Sequence, residues 1–248
     1  MILLKSLQEI AKMEVANRIV AEVLEGVKEK IRPGIETREL DELAEEMCRK
    51  HRVTPAFKGY RGYPRSICVS VNEEVVHGIP GPRRLKAGDI VSLDFGVKYE
   101  GYFGDAAITV GVGDVGEKAR ALMAVTEESL YAGIAQVKAG KRLSDVSHAV
   151  QTVVEGAGFG VIREFVGHGI GRSLHEDPQI PNFGPPDRGP TMQAGMTFAI
   201  EPMTSMGSYQ VRILQDGWTA ITQDGSWAAH FEHSVALTEN GVLIMSRL

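Results

Sequence analysis

An internal repeat is the feature that most constrains how this chain can fold. Segment 87–94, Ala-Gly-Asp-Ile-Val-Ser-Leu-Asp, aligns without gaps on segment 194–201, Ala-Gly-Met-Thr-Phe-Ala-Ile-Glu, 107 residues later (201 − 94). Both copies end in a carboxylate. At almost the same offset, Pro33-Gly34 corresponds to Ala139-Gly140, and each pair precedes a helical pattern. Short glycine-containing strings also recur by chance, but the two matches together favour a duplicated structural unit.

Helical patterns follow both copies of the repeated glycine. Ser6 and Glu9 have the spacing of a capping box, and apolar residues at helical spacing continue from there through Val27. A second helix is predicted to open at Thr37, after Pro33-Gly34 has ended the first. Segment 144–150 takes the equivalent place in the second copy. Each copy is therefore expected to contribute a pair of helices.

Strands are predicted between these helices. Segments 90–95 and 106–110 are rich in apolar residues, and the Glu100-Gly101 pair between them is typical of a tight hairpin turn. We therefore expect an α+β fold with two pseudo-symmetric halves, approximately 1–110 and 111–248, each with a helix pair packed on an antiparallel sheet. The halves would form a single catalytic domain over residues 1–248.

Composition excludes several classes of function. The 248 residues are 43% apolar, enough for one substantial core, and the net charge of −5 argues against a nucleic-acid partner. Lys5 interrupts the apolar start Met1-Ile2-Leu3-Leu4 too early for a signal peptide or a membrane span. Two cysteines, Cys48 and Cys68, provide no disulfide framework. These observations favour a cytoplasmic protein without a membrane partner.

Two aspartates are predicted to converge on one face of the hairpin. Around a Glu100-Gly101 turn, Asp94 faces Ala107 and lies diagonally across from Asp105. Neighbouring carboxylates repel each other unless one binds a proton or a cation arrives. A solvated edge hairpin is the alternative. The pattern favours a cation, because the residues that share the face with the aspartates are small and the opposite face is apolar. The small residues are Ser92, Gly96 and Ala107, and the apolar ones are Val91, Leu93 and Phe95.

Two glutamates extend this acidic set. Glu201 ends the apolar run 198–200 and precedes Pro202, which favours an extended backbone at Glu201. Glu232 lies in segment 228–237, whose alternation places Glu232 and His230 on one small, polar face. Taken singly, either glutamate is more commonly a surface charge. The interpretation as ligands rests on the whole set.

A glycine-rich segment carries two histidines. His168 and His175 lie in segment 166–175, whose three glycines would let the backbone approach whatever the histidines address. A dinucleotide fingerprint would require glycine in place of Arg172, and a zincin motif would require histidine in place of Gln179. The chain has no G-x-S-x-G elbow either. An ordinary glycine-rich loop remains the alternative.

The ordered motifs resemble type I methionine aminopeptidases, which are dimetal enzymes of the pita-bread fold. They are the Gly59-Tyr60-Arg61-Gly62-Tyr63-Pro64 string, segment 70–80 with His77, the Asp94 and Asp105 hairpin, segment 167–175, Glu201-Pro202, and Asp216-Gly217-Trp218 with Phe231-Glu232-His233. The resemblance implies two divalent metal ions per chain: His168 and Glu201 bind one, Asp94 binds the other, and Asp105 and Glu232 bridge them. Such an oxygen-rich set favours Mn(II), Fe(II) or Co(II), with Zn(II) also open.

The resemblance further implies that the chain removes the initiator methionine of nascent polypeptides and peptides, favouring a small second residue. Hydroxide activated by the two metals would attack the first carbonyl. His77 and His175 would contact the scissile amide, and Glu201 would shuttle the proton. The methionine slot would be lined by Phe57, Tyr60, Tyr63, Cys68, His77, Leu174, His175 and Trp218.

Two of these positions depart from the family pattern. A smaller residue is common where Phe57 stands, and an aromatic one where Leu174 stands. His51, His148 and His230 are interpreted as structural.

Other functions remain to be weighed. A prolidase or aminopeptidase P has a similar ligand set but generally a long extra N-terminal domain, for which this chain has no room. The type II subfamily carries a large insertion, whereas only 33 residues (201 − 168) separate His168 from Glu201. A non-catalytic protein that binds nascent chains or the ribosome should have lost ligands, and all five are present. We expect a monomer that contacts the ribosome only transiently.

Overall fold

The computed structural model describes residues 1–247. Within that range the α-helices are α1 (Leu7–Lys28), α2 (Thr37–His51), α3 (Glu117–Ile134) and α4 (Ser144–Gly156). The capping box at the start of α1 is confirmed, since the Glu9 N–H donates to Ser6 Oγ (3.3 Å) and the Ser6 N–H donates to the Glu9 carboxylate (2.8 Å). No helix of the described chain has the length and apolarity needed to cross a bilayer.

The strands form one large and two small sheets. They are β1 (Thr54–Pro55), β2 (Ile67–Val71), β3 (Glu74–Val76), β4 (Ile90–Tyr99), β5 (Tyr102–Gly111), β6 (Gly160–Val161), β7 (Gly167–Gly169), β8 (Glu176–Ile180), β9 (Thr197–Ile200), β10 (Met203–Ser205), β11 (Val211–Ile213), β12 (Ala220–Thr222), β13 (Ala228–His230), β14 (Glu232–Thr238) and β15 (Gly241–Ile244). The nine-stranded central sheet has the order β1-β4-β5-β14-β9-β7-β8, with β2 on β4 and β15 on β14. The small sheets are β13-β10-β6 and β11-β12-β3.

The central sheet has the predicted pseudo-twofold symmetry. Strands β4 and β5 of the first half lie beside β9 and β14 of the second, and Ala107 pairs with Glu232 where β5 meets β14. A twofold axis through that pair exchanges β4 with β9 and β5 with β14. The repeated glycines share one left-handed conformation, with φ of 94° at Gly88 and 92° at Gly195. The sequence repeat therefore corresponds to a repeated backbone.

The β4–β5 hairpin has the predicted register. Glu100 and Gly101 both have positive φ, 46° and 87°, as a two-residue type I′ turn requires. Asp94 pairs with Ala107, and Asp105 pairs with Gly96. The two aspartates consequently lie diagonally on one face of the sheet, as predicted.

In both halves the helices pack on the apolar face of the central sheet, opposite the face that carries Asp94. In the first half, the core joins α1 and α2 to the apolar face of β4 through Val20, Val23, Leu40, Val91, Leu93 and Phe95. In the second half, α3 and α4 pack on β9 and β14 through Leu130, Val146, Phe198 and Val235. Because side chains alternate along a strand, this packing directs Asp94 away from the helices.

Segment 228–237, which alternates along its length, divides into two strands, β13 and β14. The chain changes sheet at Phe231, so that β13 pairs with β10 and β14 pairs with β9. The neighbouring segment makes the same change at Pro202, between β9 and β10. Proline has no N–H to donate to a ladder, so the strand pairing is interrupted at this position. Glu201 and Glu232 lie side by side at this double change of sheet.

Candidate metal centre and substrate cavity

The predicted site residues converge on one cavity of about 130 Å³. It contains all five predicted metal ligands and all of the predicted substrate-binding residues. The lining residues are Phe57, Tyr60, Arg61, Tyr63, Cys68, His77, Asp94, Asp105, His168, Leu174, His175, Glu201, Trp218 and Glu232. Of these, Arg61 was not predicted from the sequence to line the site, although it lies within the Gly59–Pro64 motif. The convergence brings together residues that are up to 175 positions apart (232 − 57).

Of the two aspartates, Asp105 is withdrawn from solvent and Asp94 is partly so. Asp105 is only 4% exposed, and its Oδ1 has no hydrogen-bond partner among the described residues. Burial raises its pKa well above the ordinary value, and the charges of Asp94 and Glu201 raise it further. Burial also raises the pKa of Asp94 to about 7. These carboxyl groups therefore lack the solvation that normally stabilises their charge.

The two glutamates share this environment. Glu232 is 3% exposed, and one of its oxygens, Oε1, has no partner in the described chain. Burial raises its pKa well above the usual range, as do the nearby charges of Asp105, Glu201 and Asp94. Burial and Asp94 likewise raise the pKa of Glu201. Four carboxyl groups in such a space must either bind protons or share positive ions.

His168 is oriented as a neutral ligand. Its Nδ1 lies 2.9 Å from the Gly169 carbonyl oxygen and donates to it, which leaves the Nε2 lone pair facing Glu201 Oε1 at 3.5 Å. Burial lowers the pKa of His168 to about 4, so the ring is uncharged at neutral pH. A backbone carbonyl that fixes the tautomer of a histidine is the usual arrangement behind a metal ligand.

The glycines beside His168 permit close packing between strands. A Cβ on Gly167 would lie 2.5 Å from the Ala199 carbonyl oxygen, and one on Gly169 would lie 2.1 Å from that of Asp177. Both distances are far below van der Waals contact. The close approach that the glycines allow is therefore to the neighbouring strands β8 and β9, and it determines where β7 presents His168.

The donor groups fit a divalent metal. Donor atoms of Asp105, His168 and Glu232 lie within 4.8 Å of one another, and Glu232 also belongs to a second such group with Glu201 and His230. Asp94 lies outside both groups but lines the same cavity. Burial and the charge of Asp94 raise the pKa of the adjacent Cys68 thiol, so a thiolate is not available. Unpartnered carboxylate oxygens with neutral imidazoles suit hard or borderline divalent ions.

His230 was interpreted from the sequence as structural, and the structure places its ring beside Glu201 and Glu232. The side chain is 1% exposed, and neither ring nitrogen has a partner within the part of the chain that is described. Its Nε2 lies 3.8 Å from Glu201 Oε2. The alternation that placed His230 on the same face as Glu232 was the signal available in the sequence.

His77 and His175 face the cavity from different segments. The ring of His175 lies 4.2 Å from that of His168, centroid to centroid, and its Nδ1 is 3.0 Å from the Tyr60 hydroxyl. His77 packs edge-on against Trp218 at 6.2 Å. Loss of solvent lowers the pKa of both imidazoles. The pKa of His175, which is still partly exposed, is lowered further by the nearby His168, Arg61 and His77. Both rings are therefore neutral and can each donate one N–H.

Aromatic and apolar side chains form the remaining wall. Tyr63 donates its hydroxyl hydrogen bond to the Gly78 carbonyl (2.9 Å) and packs edge-on against Trp218 at 5.2 Å. The Trp218 backbone N–H donates to Asp216 Oδ1 (2.8 Å), which explains the Asp-Gly-Trp motif as a turn that positions the indole. Phe57 and Leu174 complete the same apolar cluster. This wall suits an apolar side chain.

Comparison with known proteins gives close relatives. Methionine aminopeptidase 1 of Bacillus subtilis is 54% identical over 248 residues, covering 100% of both chains. The crystal structure of a methionine aminopeptidase from Thermotoga maritima superimposes with a TM-score of 0.98 at 51% identity, covering 100% of both chains. The prolidase of Pyrococcus furiosus, at 23% identity and a TM-score of 0.81, shares the fold, with 99% of this chain matching 65% of that protein.

These likenesses confirm the expected pita-bread fold and the resemblance to type I methionine aminopeptidases. The family model for metallopeptidase family M24 matches residues 11–239. The matched range includes every predicted ligand and every residue of the cavity wall. This chain therefore belongs to metallopeptidase family M24.

Proposed function

We propose that this chain is a methionyl aminopeptidase that removes the initiator methionine from nascent proteins and peptides. The observation that carries the proposal is a single cavity that joins a buried cluster of carboxyl groups and imidazoles to an apolar slot. The close relatives are named methionine aminopeptidases. Cavity and relatives thus support the same reaction, hydrolysis of the first peptide bond.

Membership in this family implies use of a divalent metal. We propose two ions per chain, with His168 and Glu201 holding one, Asp94 holding the other, and Asp105 and Glu232 shared by both. Mn(II), Fe(II) and Co(II) fit the oxygen-rich set best, and Zn(II) fits less well. When bound, such ions polarise a carbonyl group and lower the pKa of a water molecule towards neutrality.

The remaining residues have separate tasks in this proposal. Glu201, whose pKa is raised by burial, accepts and returns the proton that moves during hydrolysis. His175 donates its Nε2 N–H to the carbonyl oxygen as negative charge builds there, and Tyr60 supports that tautomer by donating to Nδ1. His77 contacts the scissile amide from the other side of the cavity. The wall formed by Tyr63, Trp218 and their neighbours holds the methionine side chain.

The setting of the reaction follows from the substrate. Nascent polypeptides are made in the cytoplasm, so we propose a cytoplasmic enzyme that contacts the ribosome transiently. Residues 1–248 would act as one catalytic domain and as a monomer. A family preference for small second residues would limit the substrates to part of the newly made proteins.

The proposal is tested by release of methionine from the peptide Met-Ala-Ser. Chelator-treated protein is restored with Mn(II) or Co(II), and free methionine is measured by chromatography. We expect release from Met-Ala-Ser, slower release from Met-Leu-Ser, and none from N-acetyl-Met-Ala-Ser, which lacks a free amine. Asp105→Asn should abolish release, while Asp114→Asn, at an exposed carboxylate, should leave it unchanged. If no divalent metal supports release, a non-catalytic nascent-chain-binding protein becomes the better assignment.

A further inference from the structure

His230 is a buried imidazole whose ring nitrogens have no partner in the described structure. Its backbone is fully bonded, because its N–H donates to Thr109 Oγ1 (2.9 Å) and its carbonyl accepts from the same hydroxyl (2.7 Å). The ring is 1% exposed, and both Nδ1 and Nε2 lack hydrogen-bond partners. Burying polar atoms without partners costs free energy, so an unsatisfied ring at this depth needs an explanation.

The two oxygens of Glu201 each face an imidazole. Oε1 lies 3.5 Å from His168 Nε2, and Oε2 lies 3.8 Å from His230 Nε2. Direct hydrogen bonds between such groups are roughly 2.7–3.2 Å long. Two ligands that each lie roughly 2.0–2.2 Å from a shared ion are separated by roughly 3–4 Å, which is the separation found here. The distances therefore fit donors arranged around ions better than a direct hydrogen bond.

A third donor closes the arrangement around His230. Donor atoms of Glu201, His230 and Glu232 all lie within 4.8 Å of one another. Glu232 also belongs to the group with Asp105 and His168. Two donor groups of similar composition, each with one imidazole, thus meet at a shared carboxylate.

We propose that His230 is a metal ligand, which joins Glu201 and Glu232 in holding one of the two proposed ions. The inference rests on the proposed metal-dependent function, because it uses the same two glutamates. It adds a sixth ligand to the five predicted from the sequence. It also supplies a second nitrogen ligand, which shifts the preference of the centre from Mn(II) towards Co(II), Fe(II) and Zn(II).

The proposal is tested by proton NMR of the Co(II)-loaded full chain labelled with ¹⁵N-histidine. A histidine bound to Co(II) shows a strongly shifted, exchangeable imidazole N–H signal. We expect two such signals in the wild type. His230→Gln should lose one of them and His168→Gln should lose the other. The control His148→Gln, which alters an exposed histidine, should keep both. Calorimetric titration of the metal-free variants should show that His230→Gln weakens one Co(II) step by more than ~100-fold, beyond the roughly 10–100-fold lost when only a hydrogen-bonding partner of a ligand is removed.

Glutamine at this position separates ligation from a supporting role. Its amide can donate a hydrogen bond to Glu201 but cannot supply an imidazole nitrogen, or a shifted imidazole N–H signal, to the metal centre. A single shifted signal in the wild type, or unchanged Co(II) affinity in His230→Gln, would overturn the proposal. The single-signal outcome overturns the proposal even if the variant fails to fold. Two shifted signals in a protein that releases no methionine from Met-Ala-Ser would support the His230 site and reject the proposed function.

Discussion

Replacement of Asp94 by asparagine should stabilise the metal-free protein at alkaline pH. Burial raises the pKa of Asp94 from an ordinary 3.8 to about 7. The folded chain then binds this proton more tightly than the unfolded chain, so the contribution of Asp94 to stability is greatest below about pH 4 and is lost as the pH rises through about 7. A tenfold change in an acid constant corresponds to ~1.4 kcal/mol, so the Asp94 charge costs on the order of 4 kcal/mol at about pH 8.

The measurement is urea unfolding, followed by circular dichroism in the presence of a chelator. Asp94→Asn should exceed the wild type in free energy of unfolding by about 2–4 kcal/mol near pH 8 and match it near pH 4. Excess Co(II) should reverse the order near pH 8, because the wild type then gains metal-binding free energy that the variant has lost. Asp114→Asn, at an exposed position, should follow the wild type throughout. Parallel curves for Asp94→Asn and the wild type across this pH range would refute the reasoning.

Further predictions concern catalysis and packing. His175→Ala should lower kcat by roughly 10²–10³ with Co(II) affinity and KM for Met-Ala-Ser preserved, as loss of one stabilising donor does; steady-state kinetics would show an unchanged kcat if His175 had no such role. Gly169→Ala places a Cβ 2.1 Å from a backbone oxygen and should cost about 1–3 kcal/mol in thermal melts. Gly156→Ala, in open space at the end of α4, should instead stabilise by up to ~1 kcal/mol. Lys5→Met leaves the buried carboxylate of Glu176, whose side chain is 9% exposed, without its ion-pair partner, and should lower the free energy of unfolding by about 3–5 kcal/mol. The double variant Lys5→Met with Glu176→Gln should recover most of that loss.

Local rules were sufficient for the acidic hairpin. The Glu100-Gly101 turn fixes the register of β4 and β5, and the register alone places Asp94 diagonally from Asp105. The repeat predicted the symmetry because its glycines require the same left-handed backbone in both halves. In each case the determining interactions lie within a few residues, so the sequence pattern contains them.

The pairing of strands that are distant in the sequence could not be predicted from local patterns. Segment 228–237 alternates like one strand, yet it divides between two sheets at Phe231 because the partner segment divides at Pro202. The position of His230 beside Glu201 was missed for a related reason. Alternation showed that His230 and Glu232 share a face, but not that Glu201 from a distant segment would lie 3.8 Å from the ring. Such a contact depends on how the halves meet, which neither segment encodes alone.

The place where β5 meets β14 has a consequence for local opening. Only two backbone pairs are present there within residues 1–247, Ala107 with Glu232 and Ala106 with His233. Mutually repelling acids lie at this short ladder, so without metal its amides should exchange hydrogen with solvent readily. A divalent ion held by Asp105 and Glu232 would act as a cross-link between segments more than a hundred residues apart. Metal supply would then govern the rigidity of the junction as well as the chemistry beside it.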